Sequence, residues 1–258
     1  MGIEYQDMRA ILRVLKREMP TPSGKLLILG DAVIHFAPRE LQELATQEGI
    51  GLRALPDSLT PLSLGESLGF SQVDTLDING KASINLDLQD PLPGELLGQY
   101  DLVIDAGVLF WCFEPGQVLK NIFRLPKTNG LIFHITALSG YYGRGYYNIH
   151  PRLFQDFYLS NQCVFIQSSF RTKPRLTRWE KLRRRLTSLL GLVDGNMAGV
   201  SYSGSPGAIY LGRVRHDYME FAKTLPNLEA DMIPNNVVST FACRKTSAIE
   251  PSGPLQTC

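Results

Sequence analysis

The sequence lacks three features that would mark particular classes of protein. No apolar run reaches the length that a membrane span needs, and the first twenty residues suggest a charged amphipathic helix, not a signal peptide. The four cysteines lie far apart without a CxxC pair, which indicates no disulfide framework. The formal net charge of +1 gives no overall attraction to nucleic acid. We therefore expect a cytoplasmic protein with no transmembrane segment and no nucleic-acid partner.

Glycine is also scarce at one informative place. A nicotinamide-dependent dehydrogenase needs a Gly-x-Gly-x-x-Gly turn after its first strand. Here the apolar run 25–29 is followed by Gly30-Asp31-Ala32, with a single glycine. The sequence therefore disfavours a dehydrogenase, although its alternation of predicted strands and helices would suit one.

Apolar runs and helical periodicities alternate along the chain. We predict helices at 38–48 and 115–125, a loop with a short helix at 51–69, and a turn at Asn129-Gly130. We predict strands at 25–31, 73–78, 82–88, 100–105, 131–135, 163–170 and 237–243. Strands that alternate with helices indicate an α/β fold with a mainly parallel sheet.

Acidic residues fall at or near the ends of the predicted strands, at Asp31, Asp77, Asp87 and Asp105. Ligands of an open parallel sheet bind at the carboxyl ends of its strands. A carboxylate there can accept hydrogen bonds from two adjacent ribose hydroxyls, and Gly30 lets the backbone approach a ligand closely. The alternative for any one of these residues is that it only caps a turn.

The order of these motifs resembles class I S-adenosylmethionine-dependent methyltransferases, from residue 24 to about 170 and again near 237–245. The similar segments are Leu27-Ile28-Leu29-Gly30, Leu76-Asp77-Ile78, Asp87-Leu88-Gln89-Asp90-Pro91-Leu92-Pro93, Tyr100-Asp101-Leu102-Val103-Ile104-Asp105-Ala106-Gly107, and the helix and turn before Leu131-Ile132-Phe133. The resemblance implies a Rossmann-like, seven-stranded, mainly parallel sheet flanked by helices. Its last strand would be antiparallel, with a helical insertion between the last two strands.

The resemblance also implies a cofactor, S-adenosylmethionine, with S-adenosylhomocysteine as its product. Gly30 and Asp31 would lie against the methionine part, and Asp77 would hold the ribose hydroxyls. The adenine would lie beside Asp87 and Leu88, and the sulfonium beside Asp105, Ala106 and Gly107.

The predicted organisation divides the chain into five segments. These are an N-terminal helix in 1–23, a Rossmann-like cofactor-binding core in 24–170, an insertion or cap in 171–235, the final core strand in 236–245 and a flexible tail in 246–258. The periodicity of residues 176–192 predicts a basic amphipathic helix. It could be a solvated face, a cap over the substrate pocket or an anionic-surface contact.

The tyrosine-rich segment 140–151 follows the fifth core strand, where a substrate would approach. We predict Tyr142, Tyr146 and Trp111 as substrate-binding residues because aromatic side chains combine apolar faces with polar tips. His150 with Tyr147 is the candidate catalytic base. The alternative is that His150 caps the following helix. His134, within a predicted buried strand, is interpreted as a core histidine.

These observations predict methyl transfer to an oxygen, nitrogen or carbon atom of a small-molecule acceptor, in specialised or glycan metabolism. The alternative is a non-methylating relative of the same fold, such as a cyclase, a rearrangement catalyst or a cofactor-binding partner protein. The apolar Leu109-Phe110-Trp111 and the single glycine of the first loop motivate that alternative. No motif indicates a metal site, and a homodimer is left open.

Overall fold

The computed structural model describes residues 2–141, 144–172, 209–211, 214–216, 218–221 and 237–254. The helices are α1 Tyr5–Glu18, α2 Pro38–Glu48, α3 Pro61–Leu68, α4 Pro115–Arg124 and α5 Pro151–Ser160. The strands are β1 Gly2–Ile3, β2 Lys25–Leu29, β3 Val33–Ile34, β4 Gln72–Asp77, β5 Ile84–Asn85, β6 Tyr100–Asp105, β7 Pro126–Ser139, β8 Cys163–Thr172, β9 Ile209–Leu211, β10 Val214–His216, β11 Tyr218–Phe221 and β12 Val237–Lys245. No helix in these ranges is long and apolar enough to cross a membrane.

The main sheet has the strand order β11-β8-β12-β7-β6-β2-β4-β5. Strands β5, β4, β2, β6 and β7 run parallel, while β12 is antiparallel to both of its neighbours, β7 and β8. The seven strands from β8 to β5 confirm the predicted Rossmann-like sheet with an antiparallel last strand. An eighth strand, β11, pairs with the edge of β8. It lies within the segment 171–235, for which we had predicted a helical insertion only.

The central strands form where the sequence is continuously apolar. Leu26 to Leu29 of β2 and Leu102 to Ile104 of β6 are almost completely buried, as expected for strands covered on both faces. Strand β7 is longer than predicted, because the Asn129-Gly130 turn interrupts its pairing with β6 without ending the strand. Asn129 has a φ of 69°, and the register between the two strands shifts here.

Helices cover both faces of the sheet. On one face, the buried Asp7 of α1 accepts two hydrogen bonds from Arg171 of β8, at 2.5 and 2.7 Å. On the other face, Phe154 of α5 stacks on Phe241 of β12 with ring centroids 5.5 Å apart. The N-terminus is held beside the loop after β2, because β1 pairs in parallel with β3.

Two predicted segments differ from the structure. The predicted strand 82–88 pairs only at Ile84–Asn85, because Asp87 folds the chain into a turn: its Oδ1 accepts the backbone N–H of Gln89 at 2.9 Å. After β12, residues 246–254 have no helix or strand, and they contact the domain. Asn161 and Ser252 exchange two hydrogen bonds of 2.8 Å, and Glu250 pairs with Arg124.

Candidate functional site

The carboxyl ends of β4, β2 and β6 lie side by side, since Leu76 pairs with Leu29 and Leu29 pairs with Asp105. A cavity of about 400 Å³ opens at this edge, within the size range of small-molecule sites. The residues that line it are Gly30, Asp31, Leu76, Asp77, Ile78, Leu86, Asp87, Leu88, Gln89, Ala106, Gly107, Val108, Trp111 and Cys112. The acidic strand ends Asp31, Asp77 and Asp87 therefore share one cavity.

Gly30 forms the floor of the cavity at the end of β2. Its φ is 91°, which disfavours other residues, and a Cβ atom there would lie 2.8 Å from Cγ2 of Val108. Its N–H donates to the carbonyl of Leu76 at 2.7 Å, which fixes the loop to β4. A glycine is thus required at this one position of the loop.

Asp77 and Asp31 are joined in one hydrogen-bonded cluster at the cavity wall. The carboxylate of Asp77 accepts the N–H of Asp31 at 2.7 Å and the N–H of Asn79 at 2.9 Å, one on each oxygen. The side-chain amide of Asn79 donates to Asp31 at 3.0 Å. Each carboxylate oxygen of Asp77 has a second lone pair, so the residue can still accept hydrogen bonds from a ligand.

Asp87 and Leu88 lie in a turn that borders the same cavity. Asn121 of α4 is buried, and its amide donates to the carbonyls of Leu88 and Asp90, both at 2.8 Å. The Gln89 amide donates to both oxygens of Asp87 at 3.2 Å. Asn121 thus fixes the backbone of the turn, and Gln89 orients the carboxylate.

The prediction that the Asp105 side chain lines the cavity is wrong. Asp105 is fully buried and accepts the N–H groups of Gly107 and Val108 at 3.0 and 2.7 Å. Its second oxygen lies 2.8 Å from Nδ1 of His134, and Nε2 of His134 lies 2.6 Å from the Tyr158 hydroxyl. Asp105 therefore anchors the turn that forms the cavity wall from behind. His134 is a buried core residue, as interpreted from the sequence.

The wall in front of Asp105 consists of Ala106, Gly107 and Val108, followed by Trp111 and Cys112. Burial, with the nearby carboxylates of Asp105, Asp87 and Asp77, raises the pKa of the Cys112 thiol to about 12. The thiol is thus protonated at neutral pH. Ala106, Gly107 and Trp111 line the cavity, and their predicted contacts with the sulfonium and the substrate stay predictions.

The tyrosine-rich segment lies over the turn Leu109–Trp111. The N–H groups of Tyr146 and Tyr147 donate to the carbonyl of Phe110 at 2.8 and 3.2 Å. The Tyr147 hydroxyl donates to the carbonyl of Phe113 at 3.0 Å, so its proton is already used in a structural hydrogen bond. Tyr142 and the basic segment 176–192 lie outside the described residues.

His150 is the N-cap of α5. Its Nδ1 accepts the N–H of Arg152 at 3.1 Å, so a neutral ring carries its proton on Nε2 and can only donate there. Neither His150 nor Tyr147 lines the cavity. The structure therefore does not bring the predicted base to the cavity, and the capping alternative accounts for the position of His150.

Sequence reasoning missed several residues of the site. Ile78, Leu86 and Val108 line the cavity as apolar wall residues, and Gln89 and Asn121 support it. Ile78 directly follows Asp77 at the end of a predicted strand, and this position was an available signal in the sequence. In the structure its side chain is 72% exposed. Asn121 gave none, because it lies inside an otherwise ordinary amphipathic helix.

Comparisons with known proteins gave structural matches only. No known family and no curated protein matches the sequence. A S-adenosylmethionine-dependent methyltransferase from Archaeoglobus fulgidus is similar at 12% identity and a TM-score of 0.41, over 93% of this chain and 96% of that one. The YcgJ protein from Bacillus subtilis is similar at 9% identity and a TM-score of 0.40, over 94% and 99%.

A third similar structure is phosphoethanolamine N-methyltransferase 2 from Haemonchus contortus in complex with S-adenosyl-L-methionine. It shares 12% identity at a TM-score of 0.44, over 92% of this chain and 52% of that one. At such identities and TM-scores, the fold assignment rests on the strand order of the sheet itself.

Proposed function

We propose that this protein binds S-adenosylmethionine in the cavity at the ends of β2, β4 and β6 and transfers its methyl group to a small-molecule acceptor. The observation that carries the proposal is the convergence of Asp31, Asp77 and Asp87 in one cavity whose floor requires Gly30. Carboxylates suit the hydroxyls and amines of a nucleoside and of an amino acid.

The charge of the cavity also favours this ligand over a dinucleotide. Three carboxylates line the cavity, and the described lining contains neither Lys nor Arg. A pyrophosphate would place negative charge among these carboxylates without a cation to compensate it. A sulfonium with an α-amino group carries positive charge instead.

The lining residues divide into one group for the nucleoside half of the cofactor and one group for its methionine half. Asp77 would hold the ribose hydroxyls, and Asp87 with Ile78 and Leu88 would hold the adenine. Gly30 and Asp31 would lie beside the methionine part, and Ala106, Gly107 and Trp111 beside the sulfonium. When bound, the cofactor supplies a methyl group that is already activated for displacement. The protein contributes mainly the positioning of the acceptor in line with that methyl group.

The described lining of the cavity contains no histidine, lysine or tyrosine that could act as a general base near this position. Cys112 stays protonated, and His150 and Tyr147 lie outside the lining. An acceptor that presents a lone pair or an electron-rich carbon needs no such base before the methyl group is transferred.

Calorimetric titration tests the proposal. Wild-type protein should bind S-adenosylmethionine and S-adenosylhomocysteine. Asp77→Ala should weaken both about tenfold to 100-fold, since hydrogen bonds to a charged group are lost. Asp57→Ala, which removes an exposed carboxylate outside the cavity, is the matched control and should bind normally. If the wild-type protein binds neither compound, the proposal is wrong.

A non-methylating relative is the second candidate, favoured by the apolar Leu109-Phe110-Trp111 turn beside the cavity. The two candidates differ in their product. Mass spectrometry of metabolite extracts incubated with protein and S-adenosylmethionine should show a mass gain of one methyl group in some metabolite. Cofactor binding without any such gain would favour the non-methylating candidate.

A further inference from the structure

We define an aromatic rim as Trp111, which lines the cavity, together with Phe113, Tyr146 and Tyr147 of the adjoining segments. These side chains are 48%, 68%, 69% and 37% exposed. The Phe113 and Tyr146 rings meet edge to face at 6.4 Å, and Tyr146 meets Tyr147 at 6.5 Å. Exposed apolar side chains that contact one another usually mark a binding surface.

Backbone hydrogen bonds hold the segment that carries Tyr146 and Tyr147. The Phe110 carbonyl accepts the N–H groups of both tyrosines, and the Tyr147 hydroxyl is bound to Phe113. Gly145 lies against the Phe110 ring so closely that a Cβ atom would overlap with it. Binding at the rim therefore needs little ordering of the backbone beneath these two tyrosines.

Continuity with the cavity indicates what the aromatic rim binds. Trp111 belongs to both, since it lines the cavity and adjoins Phe110, with ring centroids 5.7 Å apart. The carboxylates of the cavity lie on Asp31, Asp77 and Asp87, whereas the wall from Ala106 to Cys112 that leads to the rim carries no ionised side chain. The four side chains of the rim thus offer ring faces and edges to a ligand, and none of the four carries a charge at neutral pH.

We propose that the aromatic rim binds the flat, uncharged aromatic ring of the methyl acceptor, an inference that rests on the proposed function. Edge-to-face and offset contacts reward a planar ring over a saturated one of similar size. The acceptor atom would then extend past Trp111 into the cavity, toward Ala106 and Gly107.

Binding of a matched pair of probes tests this inference. With protein saturated with S-adenosylhomocysteine, ligand-observed NMR titrations compare 2-naphthol with decahydro-2-naphthol, its saturated analogue. We expect 2-naphthol to bind at least about fivefold more tightly, and Phe113→Ala and Tyr146→Ala each to weaken it about three- to tenfold. Leu159→Ala, which truncates an exposed apolar side chain on α5, is the control and should leave binding unchanged.

The readouts separate the two proposals. Failure of the wild-type protein to bind S-adenosylhomocysteine overturns the proposed function. Normal binding of that compound, with equal affinity for the two probes or with no effect of the rim variants, overturns only the aromatic acceptor. Light scattering supplies a further check: if wild type is a dimer and Phe113→Ala is a monomer, the rim is an interface between copies and the inference is wrong.

Discussion

Asp77 and Asp105 are the last residues of β4 and β6, which lie on either side of β2. Their surroundings nevertheless differ. Asp77 ends β4, is partly exposed and faces the cavity, with its oxygens bonded to backbone N–H groups of the adjoining loops. Asp105 ends β6, is fully buried and faces His134 on the adjacent β7. The first carboxylate is available to a ligand, and the second is occupied by the protein.

The difference shows that a strand-end carboxylate takes its role from the strand beside it. A buried carboxylate needs hydrogen-bond partners, and β7 supplies one to Asp105 in the form of His134. The strand beyond Asp77 is the two-residue β5, which leaves that side of the carboxylate open. The same residue type is therefore open to a ligand in one place and an anchor in the other.

The largest effect that we predict concerns Cys112, which lies near both carboxylates. Its pKa of about 12 instead of 9.0 means that about 1,000-fold less thiolate is present at pH 8 than for an ordinary thiol. Alkylation by iodoacetamide, measured by mass spectrometry of the Cys112 peptide, should be slower than that of an ordinary thiol. The difference should be smaller than this factor, because a thiolate of higher pKa is the stronger nucleophile. Because a raised pKa keeps the thiol protonated, the rate should still increase about tenfold per pH unit up to pH 10. A rate that levels off near pH 9 would contradict the burial and charge argument.

Removal of the anchoring carboxylate should have the next largest effect. Asp105→Ala leaves Nδ1 of His134 and two backbone N–H groups without a partner in the core, so we expect a loss of about 3–5 kcal/mol in the free energy of unfolding. Asp77→Ala should cost less than about 1 kcal/mol, because its site is open to water. Urea denaturation of both variants measures the contrast. Equal losses would mean that the two carboxylates do not differ as described.

Replacement of the histidine should cost less than removal of the carboxylate. In His134→Phe, Asp105 keeps the N–H groups of Gly107 and Val108 but loses its side-chain partner, and the Tyr158 hydroxyl loses its own. We expect a loss of about 2–3 kcal/mol in urea denaturation. Weaker binding of S-adenosylhomocysteine should accompany it, because the turn after Asp105 forms the cavity wall. Unchanged stability would exclude His134 as the partner that Asp105 needs.

The smallest effect is expected for the far end of this network. Tyr158→Phe removes only the hydroxyl that lies 2.6 Å from His134, which should reduce the free energy of unfolding by about 1–2 kcal/mol. Thermal denaturation and cofactor binding should be measured together. The binding should be unaffected, since the bond from His134 to Asp105 remains. Binding that falls as far as stability would show that the network transmits to the cavity along its whole length.

The sequence predicts much of the fold because local patterns determine it. The apolar run Tyr100–Asp105 and the helix Pro38–Glu48, which begins with proline and ends before Gly49 in the left-handed region, have the predicted bounds. The predicted strand at 82–88 is mostly absent because the side chain of Asp87 competes for the backbone. That competition depends on local geometry, which an apolar pattern does not specify.

The candidate site is predicted only in part. Asp77 and Asp105 have the same position relative to their strands, so the sequence cannot distinguish them before the strand order is known. The pairing of Asp105 with His134 joins residues on different strands. The capping role of His150 was an open alternative in the sequence, and only the hydrogen bond to Arg152 favours it.

The position of β12 has a consequence for how the chain is made. Although Val237–Lys245 lies near the C-terminus, it forms an interior strand and separates β7 from β8. During synthesis, β8 leaves the ribosome early but has no place in the sheet until β12 arrives. Asp7 and Arg171 can then pair only late, so a nascent chain that stops before residue 237 would expose the edge of β7 and keep a charged side chain of α1 without its partner.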